Sequence, residues 1–170
     1  MKRLKHREHL TVALALAALI AGALCPLPAG ADPDTLEVTA PSNITLGSLY
    51  GTGNATGTSA TNGTVLCDYA LGYTLKIKSD NSTGAMYSGD NMLAAPLKVT
   101  AVLSTGDGAE VTQVMSPDQV VTMSEQTVGW TNASSTGTNN IALSVSQARQ
   151  TSGAAGEYSL ILTFTATAKT

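Results

Sequence analysis

The chain has 170 residues with 9 basic and 12 acidic side chains, and only 12% of it is charged and 4% aromatic. Both histidines, His6 and His9, fall near the N-terminus, and the two cysteines, Cys25 and Cys67, stand far apart. The remainder therefore has no imidazole for Ser-His-Asp or Cys-His chemistry and no His/Cys cluster for zinc.

Residues 1–31 read as an export signal. Lys2, Arg3, Lys5 and Arg7 form a basic head, Leu10 to Leu24 is apolar apart from Thr11, and Pro26 and Pro28 break the run. Ala29-Gly30-Ala31 fits the small-x-small cleavage pattern. The apolar run is short for a membrane span, and no second one follows, so no span is expected in the mature chain. Leu24 stands before Cys25 where a lipoprotein signal would carry a small residue. No LPxTG-type sorting sequence is found.

Residues 32–170 then form the mature protein, of a size suited to one domain. Five of the nine basic and eleven of the twelve acidic residues remain there, a net charge of −6. The cations Lys76, Lys78, Lys98, Arg149 and Lys169 are scattered in sequence and form no phosphate-binding stripe, so nucleic acid is not an expected partner. Cys67 follows Val65-Leu66 in an apolar run and is expected to be buried; no disulfide can form within the mature chain.

Alternating apolar and polar residues predict strands throughout. Thr35–Ala40 and Ile44–Tyr50 come first. Gly51–Gly63 is a Gly/Asn/Ala/Thr/Ser tract expected to be a flexible loop. Thr64–Tyr69 follows, then the clearest strand in the middle of the chain, with Leu71, Tyr73, Leu75 and Ile77 on one face and Lys76 and Lys78 on the other. Met86-Tyr87 and Met92-Leu93 are short pieces. Pro96–Leu103 places Leu97, Val99, Ala101 and Leu103 together, and the turn signal at 105–108 predicts Glu110–Val114 as its hairpin partner. Gln119–Met123 and Gln126–Thr131 are short strands, and Asn132–Asn139 is expected to be a loop. Ile141, Leu143 and Val145 alternate in the next strand. Gly156–Ala168 closes the chain, with Tyr158, Leu160, Leu162, Phe164, Ala166 and Ala168 on one face and mostly hydroxyls on the other. The expectation is an all-β, Ig-like two-sheet sandwich of about eight to ten short strands.

Three segments carry a resemblance: Ile44-Thr45-Leu46-Gly47-Ser48, Cys67 to Leu75 with its Gly72-Tyr73-Thr74-Leu75, and Ala155 to Thr165 with its Ala-Gly-Glu-Tyr. Their order resembles the WxL-type surface domain of Gram-positive bacteria, with Tyr73 and Phe164 where that family has tryptophan. The Gly-x-Tyr closing strand is also similar to that of spore-coat-U-like and archaic pilin subunits. The first resemblance implies an exported sandwich held non-covalently at the cell wall, with Tyr73, Leu75 and Phe164 at motif positions. The second implies a subunit that polymerises by strand exchange, for which Thr35–Ala40 is the candidate donor.

Other candidates come from the residues. Trp130 follows Gly129 on a strand, which suits either the core or a sugar- or partner-binding platform with Tyr50, Tyr69 or Tyr87. Asn43, Asn54, Asn62, Asn81 and Asn132 each begin an Asn-x-Ser/Thr triplet, and the last four fall in expected loops where glycosylation is sterically open. Asp80, Asn81, Ser82 and Asp90 offer oxygens, but not at EF-hand spacing. Asp107 and Glu110 make a carboxylate pair at a turn, without the aromatic cleft a glycosidase needs. Lys76 and Lys78 are candidate cross-linking lysines expected to face water. No cofactor or metal is implied. The sequence thus points to a non-catalytic, exported cell-surface protein whose partners are cell-wall polymer or neighbouring surface proteins, with self-association as the alternative.

Overall fold

The computed structural model describes residues 10–11, 34–153 and 156–170. The basic head, cleavage site and Cys25 of the expected leader lie outside these, as do Ala154 and Ala155 of the closing segment.

Among the described residues there are fourteen strands and no helix. In chain order they are β1 (Leu10–Thr11), β2 (Leu36–Thr39), β3 (Thr45–Leu46), β4 (Asn54–Thr58), β5 (Gly63–Cys67), β6 (Tyr73–Ser79), β7 (Tyr87–Ser88), β8 (Asn91–Met92), β9 (Lys98–Ser104), β10 (Val111–Gln113), β11 (Gln119–Val120), β12 (Gln126–Thr131), β13 (Ser135–Ala148) and β14 (Leu162–Ala168). One sheet has the order β10-β12-β6-β14; the other runs β11-β9-β13-β5-β2, with β4 also on β13. All the ladders are antiparallel. The small pairs β1-β3 and β7-β8 stand beside them.

The two larger sheets pack face to face on a single apolar core. Tyr73, Leu75 and Ile77 of β6, Val128 of β12 and Leu162, Phe164 and Ala166 of β14 line one side. Val65 and Cys67 of β5, Val99, Ala101 and Leu103 of β9, and Ile141, Leu143 and Val145 of β13 line the other. Alternation along each strand sends these residues inward and leaves Thr, Ser and Lys outside, so the binary pattern becomes a two-layer sandwich. One polar link crosses the core: the Tyr73 hydroxyl donates to Asn139 Oδ1 at 3.1 Å. Burial pushes the Tyr73 phenol well above its usual pKa, with the nearby Cys67 adding to the shift.

Several expectations fail for identifiable reasons. Residues 54–58, expected inside a flexible loop, form β4. β13 is 14 residues long and outruns β5, so its C-terminal half needs another partner and takes β4 through Ser144↔Thr58 to Ala148↔Asn54. The loop expected at 132–139 likewise ends at Ser135, where β13 begins and meets Cys67. Ile44–Tyr50 contributes only β3 as a strand, although Ile44, Leu46 and Leu49 are all buried.

The expected hairpin between 96–103 and 110–114 is not made. β10 pairs with β12 in the opposite sheet, through Val111↔Thr131 to Gln113↔Gly129. The 105–108 turn therefore carries the chain across the sandwich. Asp107 fixes that crossing, accepting from the Thr138 amide at 2.7 Å and its hydroxyl at 3.1 Å. These bonds hold the carboxyl below its usual pKa. The Gln113 side chain replaces the missing backbone pairing on β9. Its Oε1 accepts from Leu103 N at 2.8 Å and its Nε2 donates to Ala101 O at 2.9 Å.

Candidate functional site

The sequence-derived positions divide between the two faces of the four-stranded sheet. Tyr73, Leu75 and Phe164 point inward, at 1%, 0% and 5% exposure. They sit close together, since Phe164 pairs with Ile77 on the neighbouring strand, but as core. The period-2 face that holds them is the one the sandwich closes over, so the structure places these expected partner-binding residues in the core. Leu71, expected on that same face, is 55% exposed. Gly72 follows it with φ +75°, and its amide closes a turn onto Tyr69 O at 2.8 Å, so the strand alternation starts only at Tyr73.

Trp130 lies on the outer face. A β-bulge decides this. Thr127 pairs with Lys76, but Gly129, not Val128, pairs with Leu75. The extra residue reverses the alternation, so Val128 and Gly129 are buried while Trp130 opposes Thr74 and Thr112 outside. A side chain at position 129 would meet Thr112 O at 2.7 Å, which accounts for the glycine. The chain's single tryptophan is thus half-buried on a water-facing sheet.

Lys169 completes the platform. Its Nζ lies 4.1 Å from the centre of the indole ring and donates to Asn132 Oδ1 at 2.6 Å. The Lys169 amide extends the β14 ladder by bonding Gly72 O at 2.9 Å. Further along the same face come Thr74 and Thr167, then Lys76 and Thr165, then Lys78 and Thr163, pair by pair across β6 and β14. Lys76 is ion-paired with Glu125 at 3.0 Å, both partners partly exposed. The Lys78 side chain makes no hydrogen bond or ion pair with any of the described residues. The face offers a flat aromatic ring, a row of hydroxyls and three cations. Such groups are able to stack on, hydrogen-bond and pair with the charge of a ligand.

The other candidates have structural occupations. Tyr50, Tyr69 and Tyr87 do not join Trp130 in its pairing row. The Tyr87 hydroxyl donates to Asp80 Oδ2 at 2.6 Å, a bond that raises the Tyr87 pKa, and Asp80 Oδ1 accepts from Ile161 N at 3.1 Å. Asn81 Oδ1 accepts from the Thr83 amide at 2.8 Å as an Asx turn. Among the described residues no three His, Cys, Asp or Glu side chains cluster as metal ligands. Asn54, Asn62 and Asn132 are exposed and Asn81 is half-buried. Asn54 stands on β4, not in a loop, and the side-chain oxygens of Asn81 and Asn132 accept from the Thr83 amide and Lys169 Nζ. Cys67 is buried, and desolvation, the leading cause, raises its thiol pKa.

The second notable feature is the edge of β14. The Lys169 amide reaches Gly72 O and the Asp80 amide reaches Ile161 O. By antiparallel alternation the odd-numbered residues bond β6, and the N–H and C=O groups of Leu162, Phe164, Ala166 and Ala168 face away from it. No strand pairs with that edge among the described residues.

Comparison with protein-family models, curated proteins and solved structures finds no match to this chain.

Proposed function

We propose that the chain is an exported, non-catalytic cell-surface protein that binds cell-wall polymer or a neighbouring surface protein through the outer face of the four-stranded sheet. The observation that carries this reading is the half-exposed Trp130, thrown outward by the bulge and overlain by Lys169. A sandwich that needed the indole only for stability would place it among its apolar core residues. The export-signal pattern of residues 1–31 supports an exported compartment. The test is recovery of the secreted protein with purified cell envelope. Retention that falls on Trp130→Ala, with the fold intact by circular dichroism, supports it; wild-type protein that stays wholly in the medium overturns it.

The unpaired edge of β14 favours a second reading, a structural subunit that self-associates. An open edge of this length is a template for a further strand. Monomers at high concentration by light scattering would sink it.

A further inference from the structure

From the distribution of charge we infer that the ligand of this face is an anionic polysaccharide carrying carboxylates on its sugar rings. This rests on the polymer-binding reading above. The mature chain is strongly acidic, yet three of its five cations, Lys76, Lys78 and Lys169, share one face with the only tryptophan. Of the other two, Arg149 donates to the carbonyls of Ser48 and Thr52, and Lys98 sits on β9 in the opposite sheet. Three acidic side chains border it: Glu125 as the partner of Lys76, Asp80 as the next outward residue after Lys78, bonded to Ile161 N and the Tyr87 hydroxyl, and Glu110 preceding Val111 at the edge strand.

Spacing supports a polymer over a small anion. Lys169 is anchored beside Gly72, and Lys78 lies six residues further along β6. At ~3.3 Å per residue the cations extend over roughly 20 Å, with successive outward positions on β6 about 7 Å apart. Several sugar units fit that length. The indole supplies a flat apolar surface for a sugar ring, the threonines supply hydroxyl donors and acceptors, and the lysines supply charge at unequal intervals of roughly 13 and 7 Å along the row. Because the cations flank the ring platform itself, the matching charge belongs on the sugar units.

The test is affinity electrophoresis and tryptophan fluorescence titration of the exported protein with three probes: polygalacturonate, its fully methyl-esterified form, and a glycerol-phosphate polymer. Polygalacturonate should bind, shift the Trp130 emission, and weaken by tenfold or more as ionic strength rises from about 0.05 to about 0.5 M. Lys78→Gln should weaken binding roughly fivefold, the loss of one near-contact charge in water. Glu125→Gln should strengthen it by a similar factor, because it frees Lys76. Lys98→Gln, on the other sheet, should leave it unchanged. Equal, salt-insensitive binding of the esterified polymer would overturn the anionic assignment and leave polymer binding standing. Tighter binding of the glycerol-phosphate polymer would overturn the carboxylate assignment. No binding to any probe, with no retention on cell envelope, would overturn both readings.

Discussion

The two aromatics Tyr73 and Trp130 belong to paired strands of one sheet, yet they have opposite roles. Tyr73 is sealed in the core, its hydroxyl satisfied by Asn139, while Trp130 lies on the far side under Lys169. Both follow a glycine, and both are partner-binding candidates in the sequence. One inserted residue on β12 separates them, because the side-chain period of a strand is 2 and a single extra position exchanges its faces. Aromatic character alone therefore does not distinguish core from site in this fold; register does.

That contrast can be broken most forcefully at Tyr73. Tyr73→Ala removes a fully buried ring and the donor to Asn139 Oδ1, and should cost about 3–5 kcal/mol in chemical denaturation. Trp130→Ala should cost far less, within about 1 kcal/mol, while abolishing retention on cell envelope; a larger stability loss than at Tyr73 would invert the assignment. Tyr73→Phe isolates the hydroxyl and should cost about 1–2 kcal/mol, because Asn139 Oδ1 loses its donor while Nδ2 stays on Ala109 O.

The Tyr73 phenol also gives a pH dependence. Its pKa is raised in the folded protein, so the stability it contributes is complete below the ordinary tyrosine value of about 10 and is lost as pH rises above it. Denaturation midpoints should fall above about pH 10, and the fall should shrink in Tyr73→Phe, the raised Tyr87 and Cys67 groups accounting for the remainder. The smallest effect is expected at the surface pair: Glu125→Gln should change stability by less than about 0.5 kcal/mol, since both partners of the Lys76 bridge are solvated. A measured change above about 1 kcal/mol would show that the outer face is structural, contrary to its proposed role.

Much of the sandwich was legible in the sequence. The alternation in Tyr73–Ser79, Lys98–Ser104 and Leu162–Ala168 named the inward residues correctly, because burial of one strand face is a local, period-2 property. Strand partners were less legible. The hairpin expected for Glu110–Val114 is not formed, since a turn signal at 105–108 says that the chain reverses without saying which edge it meets. β4 was hidden in a polar tract because it is stabilised by backbone pairing to an overlong β13, which needs no apolar pattern. The candidate face was legible only in its parts.

The sequence by itself determined that the protein is all-β, that residues 32–170 hold no histidine, and which residues alternate into a core. Those follow from composition and neighbouring positions. Only the tertiary structure decided that Lys76, Lys78 and Lys169, scattered across nearly a hundred positions, share one face with Trp130. Cross-strand pairing joins residues distant in sequence, and one bulge chose the side of the sheet on which the indole stands.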